Sequence, residues 1–234
     1  MKITLLIPTL NEIQGMEAVM PRVRPEWVDQ ILVVDGGSTD GTMEYAKERG
    51  YDVMIQKKKG LRCGFIEALP FIRGEVIIAF SPDGNSIPEL IPQLAAKMRE
   101  GYDMVIASRY LAGAKSEDDD FITAFGNWFL TKTVNILHAS RYTDSLVMLR
   151  AYRIRLIYDL ELDKEKSYAL FEKIFMTRIG WEPLMSVRAA KRNLKVCEIP
   201  GDEPSRIGGR RKLQIIRRGL AYFSQFIWEV FFWR

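Results

Sequence analysis

Between Ile31 and Thr42 the chain reads ILVVDGGSTDGT, four apolar, mostly β-branched residues that end in an acid and then break into a glycine-rich turn. A run this short, bounded by turn residues, suits a strand buried on both faces of a parallel sheet. Asp35 falls at its carboxyl end, and open α/β sheets bind their ligands in the crevice outside the carboxyl ends of the strands. Gly36 and Gly37 permit a tight turn beside a ligand, and Ser38 or Asp40 can cap a helix over Gly41 to Arg49. Taken alone, the segment also fits an ordinary strand-to-helix turn.

Two further segments repeat the pattern. Ile3 to Pro8 reads as a buried strand followed by Thr9, Asn11 and Glu12. Glu75 to Phe80 reads as another, running into Ser81-Pro82-Asp83-Gly84-Asn85 and then a helix over Pro88 to Arg99, with Pro88 suited to a first turn. Right-handed crossovers set such strand ends side by side, so three strands deliver polar and acidic groups to one edge. The expected fold is α/β, a Rossmann-like, mainly parallel sheet flanked by helices, with a nucleotide pocket at that edge. Neither G-x-G-x-x-G nor G-x-x-x-x-G-K-[ST] is present, which excludes two familiar phosphate-binding signatures.

The segments IPTLNE, VVDGGSTDGT, KKGLRCGFIEAL, GEVIIAFSPDGNSIPE, MVIASRYLAGA, TDSLVMLRAYR and GWEPLMSVRAAKRNLKVCEIP occur in that order. Together they resemble the family-2 GT-A glycosyltransferases, nearest to the dolichol-phosphate mannose synthase branch, over nearly the whole chain. The resemblance implies a nucleotide-sugar donor, UDP- or GDP-linked, a divalent cation, Mg2+ or Mn2+, on its diphosphate, and transfer of a hexose with inversion. In the nearest branch the acceptor is a polyisoprenyl (dolichyl or undecaprenyl) phosphate.

Carried over position by position, Pro8, Thr9, Asn11 and Glu12 match the family's PTYNE segment, with Glu12 expected near the nucleoside. Asp35 matches the first acid of DDGS, a base or ribose contact, while Gly36 stands where the second acid is usual. Lys59 and Gly60 match a basic-glycine pair, where a cation near a diphosphate has an electrostatic use. The family's D-x-D metal motif aligns with Ser81-Pro82-Asp83, so only the second carboxylate remains. Asp83 and Asn85 are the expected metal ligands, because a hard cation takes oxygen donors and shares its remaining positions with substrate and water.

Arg109, after a strand over Asp103 to Ala107, matches an arginine at the active-site edge and would neutralise a phosphate. Asp144 and Ser145 match D-x-x-S-G-F-R, with Val147, Met148 and Leu149 replacing its Gly and Phe, beside the acceptor. Arg206, Gly209 and Lys212 resemble R-x-x-G-x-S-K, a basic lid over donor diphosphate and acceptor phosphate. No second acceptor-loop arginine stands between Phe121 and Leu137. A phosphate monoester acceptor is already an anionic nucleophile and needs no general base. The work is then positioning and charge stabilisation by Asp83 and its cation, Lys59, Arg109 and Arg206. A sugar hydroxyl would need a base, with Asp144 the first candidate and Glu182 the next. The single histidine, His138, sits in a helical context and reads as structural.

A chain of 234 residues, 47% hydrophobic, is ample for one core, read as a catalytic domain over residues 1–205 and a lid with C-terminal helix over 206–234. Cys63 and Cys197 lack metal-like spacing and read as reduced thiols of a cytosolic chain. Met1-Lys2 runs straight into ITLLIP, so no signal peptide is expected. Ser116 to Asp120, SEDDD, reads as an acidic exposed run, most simply a mobile loop and not a metal site, which could still fold over the acceptor. The C-terminal stretch KLQIIRRGLAYFSQFIWEVFFWR falls short of the roughly 20 apolar residues of a bilayer span. It reads as an amphipathic helix on the cytoplasmic face of a membrane, with Arg217 and Arg218 toward anionic lipid and Trp228 and Trp233 at the interface. Packing on the domain or in a homo-oligomer is the competing reading. The net charge of +4 suits anionic partners, and no nucleic-acid motif accompanies it. Two other functions stay open: transfer to a sugar hydroxyl or soluble acceptor, and non-catalytic nucleotide-sugar binding.

Overall fold

The computed structural model describes residues 1–207 and 215–233. Among the described residues seven strands form one sheet: β1 (Ile3–Thr9), β2 (Gln30–Asp35), β3 (Asp52–Ile55), β4 (Val76–Ala79), β5 (Met104–Ser108), β6 (Arg150–Arg153) and β7 (Val196–Pro200). Their order is β3-β2-β1-β4-β6-β5-β7. Only β6 runs antiparallel, wedged between β4 and β5, and every other pairing is parallel. The mainly parallel α/β sheet expected from the sequence is therefore present.

Successive side chains of a strand point to opposite faces, and the sheet divides its apolar residues accordingly. Leu6, Leu32, Ile77 and Ile106 face one layer, and Leu5, Val33, Ile78 and Val105 the other. The second layer is covered by α1 (Ile13–Val19), α2 (Thr42–Glu48) and α4 (Leu90–Arg99), and the first by α3 (Leu61–Ala68), α5 (Phe121–His138), α6 (Arg155–Asp159), α7 (Ala169–Phe175), α8 (Glu182–Lys191) and α9 (Ile215–Phe232). Burial on both sides explains why β1, β2, β4 and β5 read as near-continuous apolar runs.

The pairing of β1 with β2 sets Thr9 level with Asp35, and β4 ends at Ala79, level with Leu6 of β1. Three loops thus open on one edge. Gly15 in α1 lets that helix rest on the third of them, since a Cβ there would stand 2.3 Å from the Pro82 carbonyl oxygen.

The C-terminal helix is not an appendage. Ala221 and Phe226 of α9 lie in the same core as Phe171 of α7 and Leu184 of α8, and Arg188 of α8 grips Glu229 through two bonds, Nε to Oε2 at 2.9 Å and Nη2 to Oε1 at 2.8 Å. His138 Nε2 meets the Phe226 carbonyl at 3.0 Å, fastening α5 to α9. Trp233, expected at a membrane interface, is instead buried beneath the guanidinium groups of Arg188 and Arg192, 4.7 and 5.2 Å from its ring.

Candidate active site

At the carboxyl edge a cavity of about 450 Å3 is lined by Pro8, Thr9, Glu12 and Gly36 from the β1 and β2 loops, by Ser81, Asp83 and Asn85 after β4, and by Gly60, Arg109 and Arg206. A second cavity of about 310 Å3 shares Gly60, Arg109, Val147, Met148, Glu203 and Arg206 with it and continues between α3, α5, α8 and α9. The two form one path from the strand ends to the helical side of the molecule.

Asp35 is fully buried and committed to the turn that follows it. One carboxylate oxygen accepts the Gly37 and Ser38 amides at 2.8 and 2.7 Å, and the other accepts the Thr9 and Ser38 hydroxyls at 2.7 and 2.6 Å. It shapes the floor of the site instead of facing a ribose, which corrects the expected contact. Asn11, in a left-handed conformation with φ 57°, also ties loop to loop: its amide donates to Ser38 Oγ at 2.9 Å, and its Oδ1 accepts from the Thr39 amide at 2.8 Å. Pro8, Thr9 and Glu12 do line the cavity. Gly60 lines both cavities with φ 115°, beside an exposed Lys59.

The expected metal ligands are adjacent. The Asn85 amide donates to Asp83 Oδ1 at 3.2 Å, and the Asn85 side-chain Nδ2 donates to Asp118 Oδ2 at 3.2 Å. Arg206 Nη1 donates to Asp83 Oδ2 at 2.7 Å, and its Nε reaches Asp118 Oδ2 at 3.4 Å. Gly84, with φ 93°, leaves room for Ile207, whose amide donates to the Asp83 carbonyl at 2.8 Å. Asn85 Oδ1 is buried and has no hydrogen-bond partner, an expensive state for an amide oxygen. Oxygen donors of this kind, one orphaned and one charged, fit a hard divalent cation. Among the described residues no cluster of three or more His, Cys, Asp or Glu side chains could hold a metal ion.

Arg109 is already surrounded by acids. Its Nε and Nη2 donate to the two oxygens of Asp144 at 2.7 and 3.1 Å, and its Nη1 lies 3.3 Å from Glu203 and 3.8 Å from Asp119. Burial works to raise the Asp144 carboxyl, but the Arg109 guanidinium and the loop amides overcome it and hold the group below the usual carboxylate range. Asp144 also accepts the Leu146 and Val147 amides, both at 3.2 Å. This carboxylate lines neither cavity and has its lone pairs engaged, so the structure corrects Asp144 from a candidate base to the group that positions Arg109 and the 145–147 loop. Glu203 is pushed upward by burial, against the pull of Arg109. Glu182 lines the second cavity with Oε1 buried and unpartnered, and burial raises its pKa.

Several functional neighbours escaped the sequence reading. Arg150, fully buried, fastens the 145–147 loop by donating to the Ser145 and Val147 carbonyls and to Ser186 of α8. Its place at the end of TDSLVMLR was visible, its role was not. The acidic run 116–120 is anchored at several points, although Glu117 and Asp120 stay exposed. Ser116 forms an isolated β-bridge with Glu203, the Tyr110 hydroxyl and Asn127 amide donate to Asp119, and Asp120 caps α5 by accepting the Thr123 amide at 2.8 Å. Gly209 and Lys212 lie outside the described residues.

The outer faces of α5 and α9 are apolar. Phe121 is 86% exposed and Phe231 68%, accompanied by Ile122, Phe125, Trp128 and Ile216, Trp228, Phe232. Phe129 of α5 packs against Phe223 of α9, which joins the two into one surface. Among the described residues no helix is long and apolar enough to cross a membrane.

An open, mostly parallel sheet flanked by helices, with oxygen donors and arginines gathered around a cleft at its strand ends, is an α/β protein of the GT-A type. The chain belongs to glycosyl transferase family 2, whose family model matches residues 4–157, and it is a glycosyltransferase. It is 27% identical to Glycosyltransferase AglJ of Haloferax volcanii, over 95% of this chain and 75% of that one. It is 29% identical to the Dolichol-phosphate mannosyltransferase of Pyrococcus furiosus, over 92% of this chain, although it spans only 60% of that protein's length. Identity to the Undecaprenyl-phosphate mannosyltransferase of Micrococcus luteus is 28%, over 86% of this chain and 82% of that one. Among solved structures, glucosyl-3-phosphoglycerate synthase of Mycobacterium tuberculosis, crystallised with Mg2+ and UDP, superposes with a TM-score of 0.67 over 96% of this chain and 79% of its own, at 19% identity, a likeness of fold.

Proposed function

We propose that this protein transfers a hexose, with inversion, from a UDP- or GDP-linked donor to a polyisoprenyl phosphate at the cytoplasmic face of a membrane. The observation that carries this reading is the continuity of the two cavities. A donor diphosphate placed against Asp83, Asn85 and Arg206 would direct its sugar toward the second cavity, whose walls α5 and α9 carry the exposed apolar surface. A lipid phosphate can enter from such a surface while its chain stays in the interface. The relatives named for transfer to dolichol phosphate and undecaprenyl phosphate support the same acceptor class.

Asp83 and Asn85 would hold Mg2+ or Mn2+, which when bound stabilises charge on the departing nucleoside diphosphate. The rest is the work of this chain. Arg206 sits where both the donor diphosphate and the acceptor phosphate can meet it, and Arg109, held rigid by Asp144, lines both cavities where they join. The acceptor oxygen is an anion at neutral pH, so no proton has to be removed. That agrees with an Asp144 occupied by Arg109 and a Glu182 whose raised pKa reflects burial alone.

An acceptor series tests the proposal: a polyprenyl phosphate, the matching polyprenol and a free hexose, each with UDP- and GDP-hexoses and Mn2+. Product with the phosphate alone is the expected result. Transfer to the free hexose at equal rate would move the assignment to a hydroxyl acceptor and require a base.

A further inference from the structure

The metal motif of this chain lacks one acid, and the structure brings another carboxylate to its side. Ser81 stands where the resemblance calls for a carboxylate, leaving Asp83 as the one charge of the motif. Asp118 arrives from a different part of the chain, the acidic run before α5, and its Oδ2 accepts from Asn85 Nδ2 at 3.2 Å. Its segment is latched in place: the Glu203 amide donates to the Lys115 carbonyl and the Glu117 amide to the Glu203 carbonyl, both at 2.8 Å. Asn85 therefore touches both acids, Asp83 through its backbone amide and Asp118 through its side chain.

Two further observations point to a cation between them. Asn85 is 8% exposed, lines the donor cavity, and leaves its Oδ1 without a partner. A single guanidinium, that of Arg206, spans the two carboxylates, at 2.7 Å from Asp83 and 3.4 Å from Asp118. Carboxylates at one site disfavour each other's ionised form unless a positive charge is shared between them, and here the Arg206 guanidinium is that shared charge.

We propose that Asp118 is a ligand of the divalent cation, supplying the carboxylate that Ser81 does not, and that Arg206 holds the cation's place until the cation arrives with the donor. The inference rests on the metal-assisted reading above. Two carboxylates and the Asn85 amide oxygen give the cation three protein donors, and the diphosphate and water complete its shell. Displaced from the acids, the Arg206 guanidinium becomes available to phosphate oxygens, which it can bind bidentately. One exchange would thereby load the metal and release the arginine that the phosphates require.

The test is Mn2+ binding, followed by the electron paramagnetic resonance signal of the free ion, with and without UDP or GDP. Wild type is compared with Asp118→Asn, Asp119→Asn and Arg206→Gln, each checked for native circular dichroism. Asp118→Asn should weaken Mn2+ binding at least tenfold in the presence of nucleotide. Asp119→Asn, whose carboxylate faces Tyr110 and Arg109, should leave it within about twofold. Arg206→Gln should bind Mn2+ alone more tightly than wild type, a change of sign that mere damage to the loop cannot produce. Equal losses at Asp118 and Asp119 would reduce Asp118 to part of a general acidic field and overturn the proposal, as would weaker Mn2+ binding in Arg206→Gln. Should wild type itself bind no Mn2+ with either nucleotide, the metal-assisted reading fails first and the inference falls with it.

Discussion

At the scale of single residues, the site is built from acids whose tasks differ by their partners. Asp35 and Asp144 are consumed by local hydrogen bonds, whereas Asp83 and Asp118 share one arginine at the edge of the donor cavity. The strand end made Asp35 look like a ligand-facing group and the family resemblance did so for Asp144, but neither says which neighbours reach a carboxylate first. The left-handed Asn11 and the closing of 116–120 onto Glu203 were hidden for the same reason: each depends on chain 27 to 87 residues away. Asp144→Asn should destabilise the fold by about 3 kcal/mol, toward the low end for a broken buried ion pair because Glu203 and Asp119 still face Arg109. The pH dependence has a definite sign. The folded Asp144 pKa lies below its unfolded value, so its stabilisation is complete above about pH 4 and is lost as pH falls through the folded value. Glu182 acts oppositely, its raised folded pKa giving stability that is present below about pH 4.3 and lost as pH rises through the folded value. Because Glu182 is common to both proteins, urea midpoints measured from pH 5 to pH 2 should fall more steeply for wild type than for Asp144→Asn. Parallel curves would show that Arg109 does not depend on this carboxylate.

At the scale of elements, the strands were legible because a doubly buried parallel strand must be apolar throughout and must stop at turn residues. The antiparallel β6 gave no such signal, since RAYR carries two arginines, one of them buried against α8. The C-terminal helix shows a subtler limit. An apolar face seeking lipid and an apolar face seeking the domain look alike in sequence, and α9 has both: Ala221 and Phe226 pack inward, while Trp228 and Phe231 face out. Helix α5, which the sequence reading passed over, doubles the outward surface through Phe121, Phe125 and Trp128. Replacing Trp228 and Phe231 with serine should release the protein from anionic vesicles in flotation and spare nucleotide binding, and Phe125 with Trp128 replaced should do the same. Retention of both double variants on vesicles would assign this surface to a protein contact instead.

At the scale of the molecule, the sheet sets three loops on one edge, the helical layer adds a second cavity, and the apolar pair α5 and α9 stands beside it. The boundary drawn before residue 206 marks no break in this packing, since Ala221, Phe226 and Trp233 complete the same core as Trp181 and Leu184. Composition foretold a core of adequate size but not that its last helix would close it. The proposed function rests on this placement, which would set donor phosphates at the strand ends and an acceptor phosphate between the helices, with arginines lining both cavities. The account stands or falls on a cation at Asp83 joining nucleotide to protein. Calorimetric titration of UDP and GDP, with and without Mn2+, into wild type and Asp83→Ala tests it most directly. The account predicts binding of one nucleotide that Mn2+ strengthens at least tenfold and that the variant loses; equal affinity in the variant, or no effect of Mn2+ on wild type, would contradict it.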